Sequence, residues 1–363
     1  MTEQHPDFEL DAYDYDLPEE LVAQRPAGRR DESKLMLLDR VSGETCARRF
    51  SELPQFLPEG SLLVANNSRV VPARLFGSKP SGGKVEFLLL TPLPLLDIRA
   101  GSHPKWNRAE AYGLIKASKA PKPGDEVVFA EDLRMEVKER LEYGRCQVEL
   151  VWRGSLPDIF FEHGHQPLPP YIKRDDTPSD GERYQTIYAD QSKTGSVAAP
   201  TAGLHFTPEM RESLKNAGFG WSELTLYVGY GTFSPVRDDD VRRHVMHAEY
   251  VEIPQETATA VAAAKSEGRP VVAVGTTTVR ALEGAYLNVH GIQPFRGWVD
   301  LFIYPGFKFN VVDHLLTNFH LPRSSLLMMV SAFAGRETML RAYREAIRQE
   351  FRFYSYGDSM FIF

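Results

Sequence analysis

Polar side chains interrupt an apolar stretch near the C-terminus, where a buried core would normally exclude them. Residues 313–335 read DHLLTNFHLPRSSLLMMVSAFAG and place Thr317, Asn318, His320 and Ser324 between apolar runs. Burying such groups without hydrogen-bond partners costs about 1–3 kcal/mol each, so they either satisfy one another or face a ligand. The same mixture recurs in three other segments, residues 198–207, 226–236 and 274–283. We therefore expect the four segments to line one polar site.

One of these segments follows the order strand, threonine-rich turn and helix. It runs from Val271 to Glu283, and its turn reads Gly-Thr-Thr-Thr. The free N–H groups in the first turn of a helix favour anions, so Thr276, Thr277 and Arg280 could together hold a carboxylate or a phosphate. Ordinary capping of the helix by the threonines is the alternative. The sequence contains no GxxxxGK(S/T) motif, which excludes a P-loop.

Three histidines, His205, His247 and His320, lie in the mixed segments. His205 follows Thr201 in a run of small residues that allows close approach of the backbone to a ligand. His247 precedes Glu249 by two positions, and in a strand this spacing would point both side chains to one face as an acid–base pair. A surface salt link is the alternative for that pair. The histidines lack any HExxH or other ligand spacing, so we predict no metal site.

Two further segments could contact a ligand. The loop Gly229–Phe233 joins glycines to aromatic residues and could stack on a flat ring. Asp300 and Tyr304 lie near the end of a predicted strand, where open α/β sheets usually bind ligands. A plain turn at Pro305 and Gly306 is the competing explanation for the second segment.

The bulk composition indicates a globular protein with more than one domain. The chain has 363 residues, of which 42% are hydrophobic and 25% charged. Its apolar runs end too soon to span a bilayer. Only Cys46 and Cys146 are present, which disfavours a disulfide framework or a zinc site. The acidic N-terminus lacks a secretory pattern, so we expect a cytoplasmic protein that does not contact a membrane.

The charge distribution bears on nucleic-acid binding. A net charge of −7 argues against a protein that coats nucleic acid indiscriminately, but it allows a local basic face. The segment Arg99–Gly124 is one candidate, because it holds six basic residues and one acidic residue. A solvated loop is the alternative interpretation of that segment.

The texture of the sequence changes between residues 67 and 155. Short β-rich pieces alternate there with Pro-Gly and Gly-Gly turns, as in a small antiparallel barrel or sandwich. We predict an inserted domain over 67–155 and a discontinuous α/β main domain over 1–66 and 156–363. Main-domain strands are predicted at Leu35–Asp39, Leu62–Ala65, Glu223–Val228, Val271–Val274 and Trp298–Ile303. Main-domain helices are predicted at Tyr15–Gln24, Pro208–Ala217, Pro254–Glu267, Val279–Leu287, Ser325–Ala334 and Arg336–Gln349.

Taken together, these segments resemble the S-adenosylmethionine:tRNA ribosyltransferase-isomerase family of queuosine biosynthesis. The resemblance extends from Leu17 to Met360. It is carried by LPEELVAQRP, RVVPARLFG, GGKVEFLLL, APTAGLHFT, LYVGYGTFSPV, VGTTTVRALE, LFIYPGFKF, LLTNFHLPRSSLLMMVSAFAG and FRFYSYGDSM. It implies an α/β (α+β) main domain with a large mixed sheet and an inserted small antiparallel β-barrel. Asn67 stands where the resemblance leads us to expect aspartate, which removes a carboxylate from that loop.

The resemblance also implies a reaction. The ribosyl part of S-adenosylmethionine would be transferred to 7-aminomethyl-7-deazaguanine at the wobble position of tRNA. Epoxyqueuosine would form, and adenine and methionine would be released. We expect no cofactor beyond S-adenosylmethionine as co-substrate, no metal, and a monomer.

Residue chemistry and motif membership together predict three groups of functional residues. Proton transfer is assigned to His320, His247 and Glu249. Binding of S-adenosylmethionine is assigned to Thr201, His205, Thr276, Thr277, Arg280, Asp300, Tyr304, Asn318 and Ser324. Contact with tRNA phosphate or the target base is assigned to Arg25, Arg30, Asn67, Arg69 and Arg74.

Two other function classes stay open on the sequence. A tRNA-binding module without chemistry would bind RNA and release no adenine from S-adenosylmethionine. A small-molecule hydrolase built on His247 and Glu249 would need a nucleophile or a metal, and neither has a recognisable setting.

Overall fold

The computed structural model describes residues 5–101, 103–229, 231 and 236–363, with only the backbone of Tyr143. In chain order the strands are β1 Lys34–Leu38, β2 Thr45–Arg49, β3 Leu62–Asn66, β4 Arg69–Val70, β5 Arg74–Ser78, β6 Lys84–Leu89, β7 Arg99–Ala100, β8 Trp106–Lys116, β9 Glu126–Ala130, β10 Leu133–Arg140, β11 Arg145–Arg153, β12 Thr194–Ser196, β13 Gly220–Leu226, β14 Glu249–Ile253, β15 Val271–Val274, β16 Phe295–Val299, β17 His314–Asn318 and β18 Ser359–Ile362. The helices are α1 Leu156–His163, α2 Pro178–Arg183, α3 Pro208–Asn216, α4 Gln255–Ser266, α5 Thr276–Val289, α6 Ser325–Ala334 and α7 Arg336–Arg348.

A nine-stranded mixed sheet forms the main body, with the strand order β16-β14-β13-β3-β15-β17-β18-β1-β2. Its central strands β13, β3, β15 and β17 run parallel to one another, whereas β14 and β18 pair antiparallel with β13 and β17. Strands β3 and β15 are buried along their whole length, as expected where helices cover both faces of a parallel sheet. The large mixed sheet that the resemblance implied is confirmed.

The two faces of this sheet pack against different helices. One face, which includes Val64 and Ala273, packs against α4, α5, α6 and α7. The other face, which includes Leu63 and Val274, packs against α3 and the turn around Phe50. Alternate residues of one strand therefore enter two separate cores, which holds the central strands rigidly in place.

A closed antiparallel barrel forms the second body, with the strand order β11-β10-β9-β5-β6-β8. Pairing between β8 and β11 along nine residues closes it, and β7 adds a short edge to β8. Alternating residues such as Val85, Phe87 and Leu89 fill its interior. The antiparallel barrel is thus confirmed, while the boundaries at residues 67 and 155 stay a prediction.

Most of the predicted elements are confirmed, and two are wrong. The predicted helix Tyr15–Gln24 is a single 3₁₀ turn, Glu19–Leu21. The backbone around that turn pairs instead with a C-terminal segment, since Phe353 N–H donates to the Leu21 carbonyl and Ala23 N–H donates to the Phe353 carbonyl. The predicted strand Trp298–Ile303 overlaps β16 only at its first two residues.

The basic segment Arg99–Gly124 is not a solvated loop, because it contains the eleven-residue strand β8. Ala109 and Ala111 of β8 face the barrel interior. At Gly113 a Cβ atom would lie 2.1 Å from the ring of Phe87, so only glycine fits there. Small inward residues let the bulky side chains of the neighbouring strands fill the interior.

The predicted Gly229–Phe233 stacking loop falls largely outside the description, since Tyr230, Thr232 and Phe233 are not among the described residues. No helix within the described ranges is both long and apolar enough to cross a membrane.

Candidate active site

A cavity opens at the carboxyl ends of β15 and β17, where open α/β sheets usually bind ligands. The space between its lining residues is about 630 Å³, which includes volume open to solvent. Its walls come from six places in the chain: Tyr171, residues 198–202, Val228, residues 275–277, seven residues between 317 and 326, and the pair Tyr354 and Ser355. Thr201, Thr276, Thr277, Asn318, His320 and Ser324 all line it. The structure therefore brings together six of the residues that the sequence assigned to the site.

The turn into α5 exposes the first residues of the helix to the cavity. Gly275 has a φ of 93°, a left-handed conformation that glycine adopts without strain. The Thr278 hydroxyl donates to the Val274 carbonyl at 2.8 Å and ties the helix to the strand that precedes it. Thr277 Oγ1 is buried beside the cavity and has no hydrogen-bond partner among the described residues. That hydroxyl can contact a ligand without giving up a protein contact.

Asn318 presents a second unpaired atom to the cavity. Its Nδ2 lies 3.2 Å from His205 Nε2, 3.2 Å from the Tyr354 carbonyl and 3.3 Å from the Asp358 carbonyl. These three acceptors fix the orientation of the amide. Its Oδ1 is buried and has no partner among the described residues. The oxygen is therefore available as an acceptor for a ligand hydroxyl or ammonium group.

His205 supports Asn318 from behind instead of lining the cavity. Because the Asn318 amide nitrogen donates to Nε2, the histidine proton is on Nδ1, which donates to Ser33 Oγ at 2.7 Å. The ring stacks on Phe50 with centroids 5.0 Å apart. Burial, with smaller contributions from two arginines, lowers the pKa of His205 to about 3, so the ring is neutral. Its position indicates that it orients Asn318.

His320 lines the cavity as a neutral imidazole. In the tautomer that carries its proton on Nε2, His320 donates to Thr317 Oγ1 at 2.9 Å while the Thr317 hydroxyl donates to the Asn318 carbonyl at 3.3 Å. The other ring nitrogen, Nδ1, then has a lone pair that can accept a proton. Burial lowers the pKa of His320 to about 3. Its backbone is held on both sides, since its N–H donates to the Tyr343 hydroxyl at 2.9 Å and its carbonyl accepts from Tyr15.

Ser324 caps the helix that follows the cavity. Its hydroxyl accepts from the Leu327 N–H at 3.2 Å and donates to the Leu321 carbonyl at 2.7 Å. The side chain is therefore occupied by the protein even though it borders the cavity. Its predicted contact with S-adenosylmethionine stays a prediction.

Glu249 and Arg280 form a buried ion pair away from the cavity wall, and each side chain is 3% exposed. Arg280 also donates to the Leu301 carbonyl at 3.2 Å and to the His247 carbonyl at 3.3 Å. Glu249 accepts from the Gly229 N–H at 2.8 Å. The structure thus ties four segments together here. Ligand binding by Arg280 and proton transfer by Glu249 both stay predictions.

His247 is exposed and lies next to this ion pair, two residues before the start of β14. Burial lowers its pKa below the usual value, Arg145 and Arg280 lower it further, and Glu249 opposes them. His247 does not line the cavity, so the two histidines assigned to proton transfer are in separate places.

Asp300 and Tyr304 lie outside the cavity wall as well. Asp300 is exposed, and the ring of Tyr304 packs on Phe302 with centroids 5.4 Å apart and on Phe8 at 6.2 Å. Their predicted contacts with methionine or ribose stay a prediction.

Two of the predicted tRNA contacts lie at the junction of barrel and main body. The Arg69 guanidinium lies over the ring of Phe161 at 4.6 Å. Arg74 lies over Phe76 at 4.9 Å and pairs with Glu86 at 2.7 Å. Both phenylalanines are unusually exposed, at 48% for Phe76 and 39% for Phe161.

The remaining three predicted tRNA contacts are more constrained or lie elsewhere. Arg30 donates to the Leu204 and Glu182 carbonyls at 3.0 Å each. Asn67 accepts from the Thr225 hydroxyl at 2.7 Å, so the amide found in place of the expected carboxylate has a structural partner. Arg25 is exposed, and its carbonyl accepts from Arg352.

Sequence reasoning missed an aromatic wall of the cavity. Tyr171 and Tyr354 both line it, with ring centroids 4.6 Å apart. The Tyr171 hydroxyl lies 2.6 Å from Ser355 Oγ, which also lines the cavity. Tyr354 has a φ of 70°, rare for a residue with a side chain and costing about 1–2 kcal/mol. The aromatic run FRFYSYGDSM could have indicated Tyr354, because it is one of the segments that carry the resemblance and no function had been assigned to it.

The described residues contain no group of three or more His, Cys, Asp or Glu side chains arranged to hold a metal ion.

Comparisons with known proteins agree with one another. A family model described as a queuosine biosynthesis protein matches residues 10–362. The chain is 58% identical over 362 residues to an S-adenosylmethionine:tRNA ribosyltransferase-isomerase of Nitratidesulfovibrio vulgaris strain DP4, covering 98% of each chain. It is 46% identical to the protein of that name from Aquifex aeolicus, over 97% of this chain and 99% of the other.

A solved structure also matches. The crystal structure of an S-adenosylmethionine tRNA ribosyltransferase from Thermotoga maritima aligns with a TM-score of 0.53 and 34% sequence identity. The alignment covers 97% of this chain and 100% of that chain.

Proposed function

The chain belongs to the family of queuosine biosynthesis proteins whose relatives are named S-adenosylmethionine:tRNA ribosyltransferase-isomerase, and from that premise we propose how its cavity works. It is a transferase and isomerase with S-adenosylmethionine and tRNA as substrates. The acceptor in our proposal is 7-aminomethyl-7-deazaguanine at the wobble position. The products are epoxyqueuosine in tRNA, adenine and methionine.

The observation that carries this proposal is the pair of unpaired polar atoms beside the cavity. Thr277 Oγ1 and Asn318 Oδ1 are buried and lack partners among the described residues, which costs stability unless a ligand compensates. The adjacent N-terminal turn of α5 favours a carboxylate, such as that of the methionine part of S-adenosylmethionine. Thr201 and Thr276 add hydroxyls to the same wall.

His320 is the proton acceptor in this scheme. The sulfonium of S-adenosylmethionine acidifies the adjoining C5′ hydrogens, and neutral His320 can remove one of them through Nδ1. Adenine then leaves, the aminomethyl nitrogen attacks the sugar, and closure of an epoxide expels methionine. A general base contributes about 10²–10⁴-fold to the rate, and most when its pKa lies near the working pH. The pKa of about 3 keeps His320 unprotonated but makes it a weak base, so its contribution belongs at the lower end of that range and alignment of the two substrates must supply most of the remainder.

In this scheme the aromatic wall stacks on the flat rings of the substrates, the adenine of S-adenosylmethionine and the 7-deazaguanine base. The target base must leave its loop to reach a cavity, and aromatic side chains hold such extruded bases by stacking. Tyr171 and Tyr354 are placed to do this, and with Phe319 they also keep water from the sugar intermediate. Arg69 and Arg74 lie outside the cavity, where they can meet the RNA backbone.

The decisive experiment is a single-turnover assay of adenine release from S-adenosylmethionine. With tRNA carrying 7-aminomethyl-7-deazaguanine we expect one adenine per modified tRNA, and with unmodified tRNA none. RNA binding without adenine release would favour the module without chemistry, and methionine or adenine release without RNA would favour a hydrolase.

A matched pair of variants tests the base. His320→Asn should slow adenine release by about 10²-fold, because asparagine cannot accept the proton. The control His290→Asn changes an exposed histidine at the end of α5 and should leave the rate unchanged. An unaltered single-turnover rate in His320→Asn would remove His320 as the base.

A further inference from the structure

Positive charge in this protein is concentrated in the barrel. Residues 67–155 contain 15 lysines and arginines and 11 aspartates and glutamates, a net charge of +4. The whole chain has a net charge of −7, so the residues outside this range carry −11. A polyanion approaching the molecule is therefore attracted to the barrel and repelled by most of the main body.

Within the barrel, five lysines cluster on two adjacent connections. We call Lys79, Lys84, Lys116, Lys119 and Lys122 the lysine end. The ammonium of Lys79 donates to the Lys119 carbonyl at 2.9 Å, which joins the β5–β6 turn to the β8–β9 connection. Lys84 and Lys116 lie where β6 begins and β8 ends. Four of the five are exposed, and Lys79 is half-buried.

The lysine end differs from four cations on the barrel strands. Arg74, Arg108, Arg134 and Lys138 are each within ion-pair distance of a glutamate. Among the described residues, no acidic side chain forms an ion pair with any of the five lysines. Their charge is thus uncompensated by the protein and available to an external anion.

Strand register connects the lysine end to the cavity side of the molecule. Phe76, Glu86 and Lys116 are direct neighbours on β5, β6 and β8, so they project from one face. That face is the outer one, because the adjacent Phe87 is fully buried in the barrel interior. Arg74 lies two residues before Phe76 on the same face and over its ring.

The same surface continues onto the main body. The backbone of Arg74 pairs with His165, whose ring contacts Phe76 at 5.1 Å. Arg69 forms β4 with Val70 and pairs there with β12, which ends two residues before the first residue of the cavity wall, Ala198. A strip with half-buried Arg69 and Arg74, exposed Phe76 and Lys116, and Glu86 paired to Arg74 therefore runs from the cavity side of the molecule along the barrel to the lysine end.

We propose that this strip, the outer face of β5, β6 and β8 with the lysine end, binds the sugar–phosphate backbone of the tRNA arm whose loop enters the cavity. The inference rests on the proposed function, because it takes tRNA as the partner. Lysines suit phosphates as point charges, and exposed phenylalanines beside arginines suit unpaired bases. Because the residues outside the barrel carry a net charge of −11, the barrel is the part of the molecule whose net charge favours contact with phosphates.

A charge-matched pair of triple variants tests the proposal. Lys84→Gln, Lys116→Gln and Lys119→Gln together remove three charges from the lysine end. Lys215→Gln, Lys308→Gln and Arg344→Gln together remove three charges from exposed positions of the main body. All six side chains are exposed, so both proteins should fold, and thermal unfolding verifies that.

The Kd for unmodified tRNA is measured without S-adenosylmethionine between 50 and 200 mM salt. In a plot of log affinity against log salt concentration, each phosphate contact adds roughly 0.9 to the slope, so the slope counts these contacts. The barrel triple should raise the Kd about tenfold or more and flatten the slope by about two to three. The main-body triple should stay within about twofold of wild type. At saturating modified tRNA the barrel triple should keep its kcat.

Equal weakening of tRNA binding by the two triples, or an unchanged slope in the barrel triple, would overturn the proposal. Loss of kcat at saturating tRNA would also overturn it, because the lysines would then act in the chemistry. The binding readout needs no reaction. If the wild-type protein released no adenine but the two triple variants still differed in their Kd for tRNA, the proposed function would be wrong and the assignment of the strip to tRNA binding would hold.

Discussion

The first two turns of α5 carry polar groups of opposite kinds. In the first turn, Thr277 Oγ1 borders the cavity without a protein partner. One turn later, Arg280 is paired with Glu249 and donates to two backbone carbonyls. Both groups are buried, and both stand in the same short motif. The difference teaches that burial of a polar residue does not by itself mark a ligand site. Lack of a partner is informative only on a cavity wall, because eight other buried side-chain atoms of the described residues lack partners away from this cavity.

The same contrast separates the histidines. His205 has both ring nitrogens engaged by Ser33 and Asn318, and its role is to orient the amide. His320 has one ring nitrogen engaged by Thr317 and lines the cavity with the rest of its ring. This difference in hydrogen bonding is the basis on which our proposal gives His205 a supporting role and His320 a role in the chemistry.

The substitution Glu249→Gln should have the largest effect on the contrast between the paired Arg280 and the unpaired Thr277. It leaves the Arg280 charge buried without a counterion, so the free energy of unfolding should fall by about 3–5 kcal/mol in urea titration. The double variant Glu249→Leu with Arg280→Met should recover most of that loss, because the pair is replaced by apolar groups of similar volume. If Glu249→Gln kept wild-type stability and lost adenine release, Glu249 would belong to the chemistry.

Acid should destabilise the protein through the two buried histidines. The pKa of His205 and of His320 is about 3 in the folded state, against about 6.5 when unfolded. Between those values the unfolded state binds more protons, so stability is complete above pH 6.5 and declines as the pH falls towards 3. From pH 7.5 to 5 the two groups together should remove about 4 kcal/mol.

Urea titration at several pH values measures this decline. His205→Gln should reduce it by roughly half, since one of the two titrating rings is gone. A free energy of unfolding that stayed constant from pH 7.5 to 5 would contradict the neutral, buried state of both rings.

Sequence patterns predicted those parts of the molecule whose signal is local. The strand Val271–Val274 and the helix Ser325–Ala334 have the predicted bounds. The strand is a short apolar run, and the helix begins after the capping residue Ser324 and ends before Gly335. Strand β8 was not predicted. Its inward residues are small and its outward residues are charged, and solvated loops have the same composition. The ring of Phe87, on another strand, packs against Gly113 of β8, and no local sequence pattern shows this contact.

The site shows the same limit. Thr276, Thr277, Asn318 and His320 were predictable because each stands where a motif interrupts an apolar run. The pairing of Arg280 with Glu249 depends on a contact between residues 31 positions apart, and Tyr171 meets Tyr354 from far along the chain. Whether a polar residue finds its partner in the protein is a property of tertiary contacts, so the sequence alone could not separate ligand-facing groups from structural ones.

Two adjacent threonines offer the finest test of this rule. Thr277→Val removes a hydroxyl that has no partner in the described protein, so the free energy of unfolding should be unchanged or slightly higher. The KM for S-adenosylmethionine should rise about five- to tenfold, equivalent to about 1–1.4 kcal/mol of lost binding. Thr278→Val is the matched control, since its hydroxyl donates to the Val274 carbonyl.

The control should lose about 1 kcal/mol of stability and keep its KM within about twofold, because its hydroxyl serves the protein and not the ligand. Urea titration and initial-rate measurements on the two variants separate the effects. If both variants lost stability and neither changed the KM, an unpaired buried hydroxyl would not mark the ligand site. The assignment of the α5 turn to substrate binding would then have no support from its hydrogen bonds.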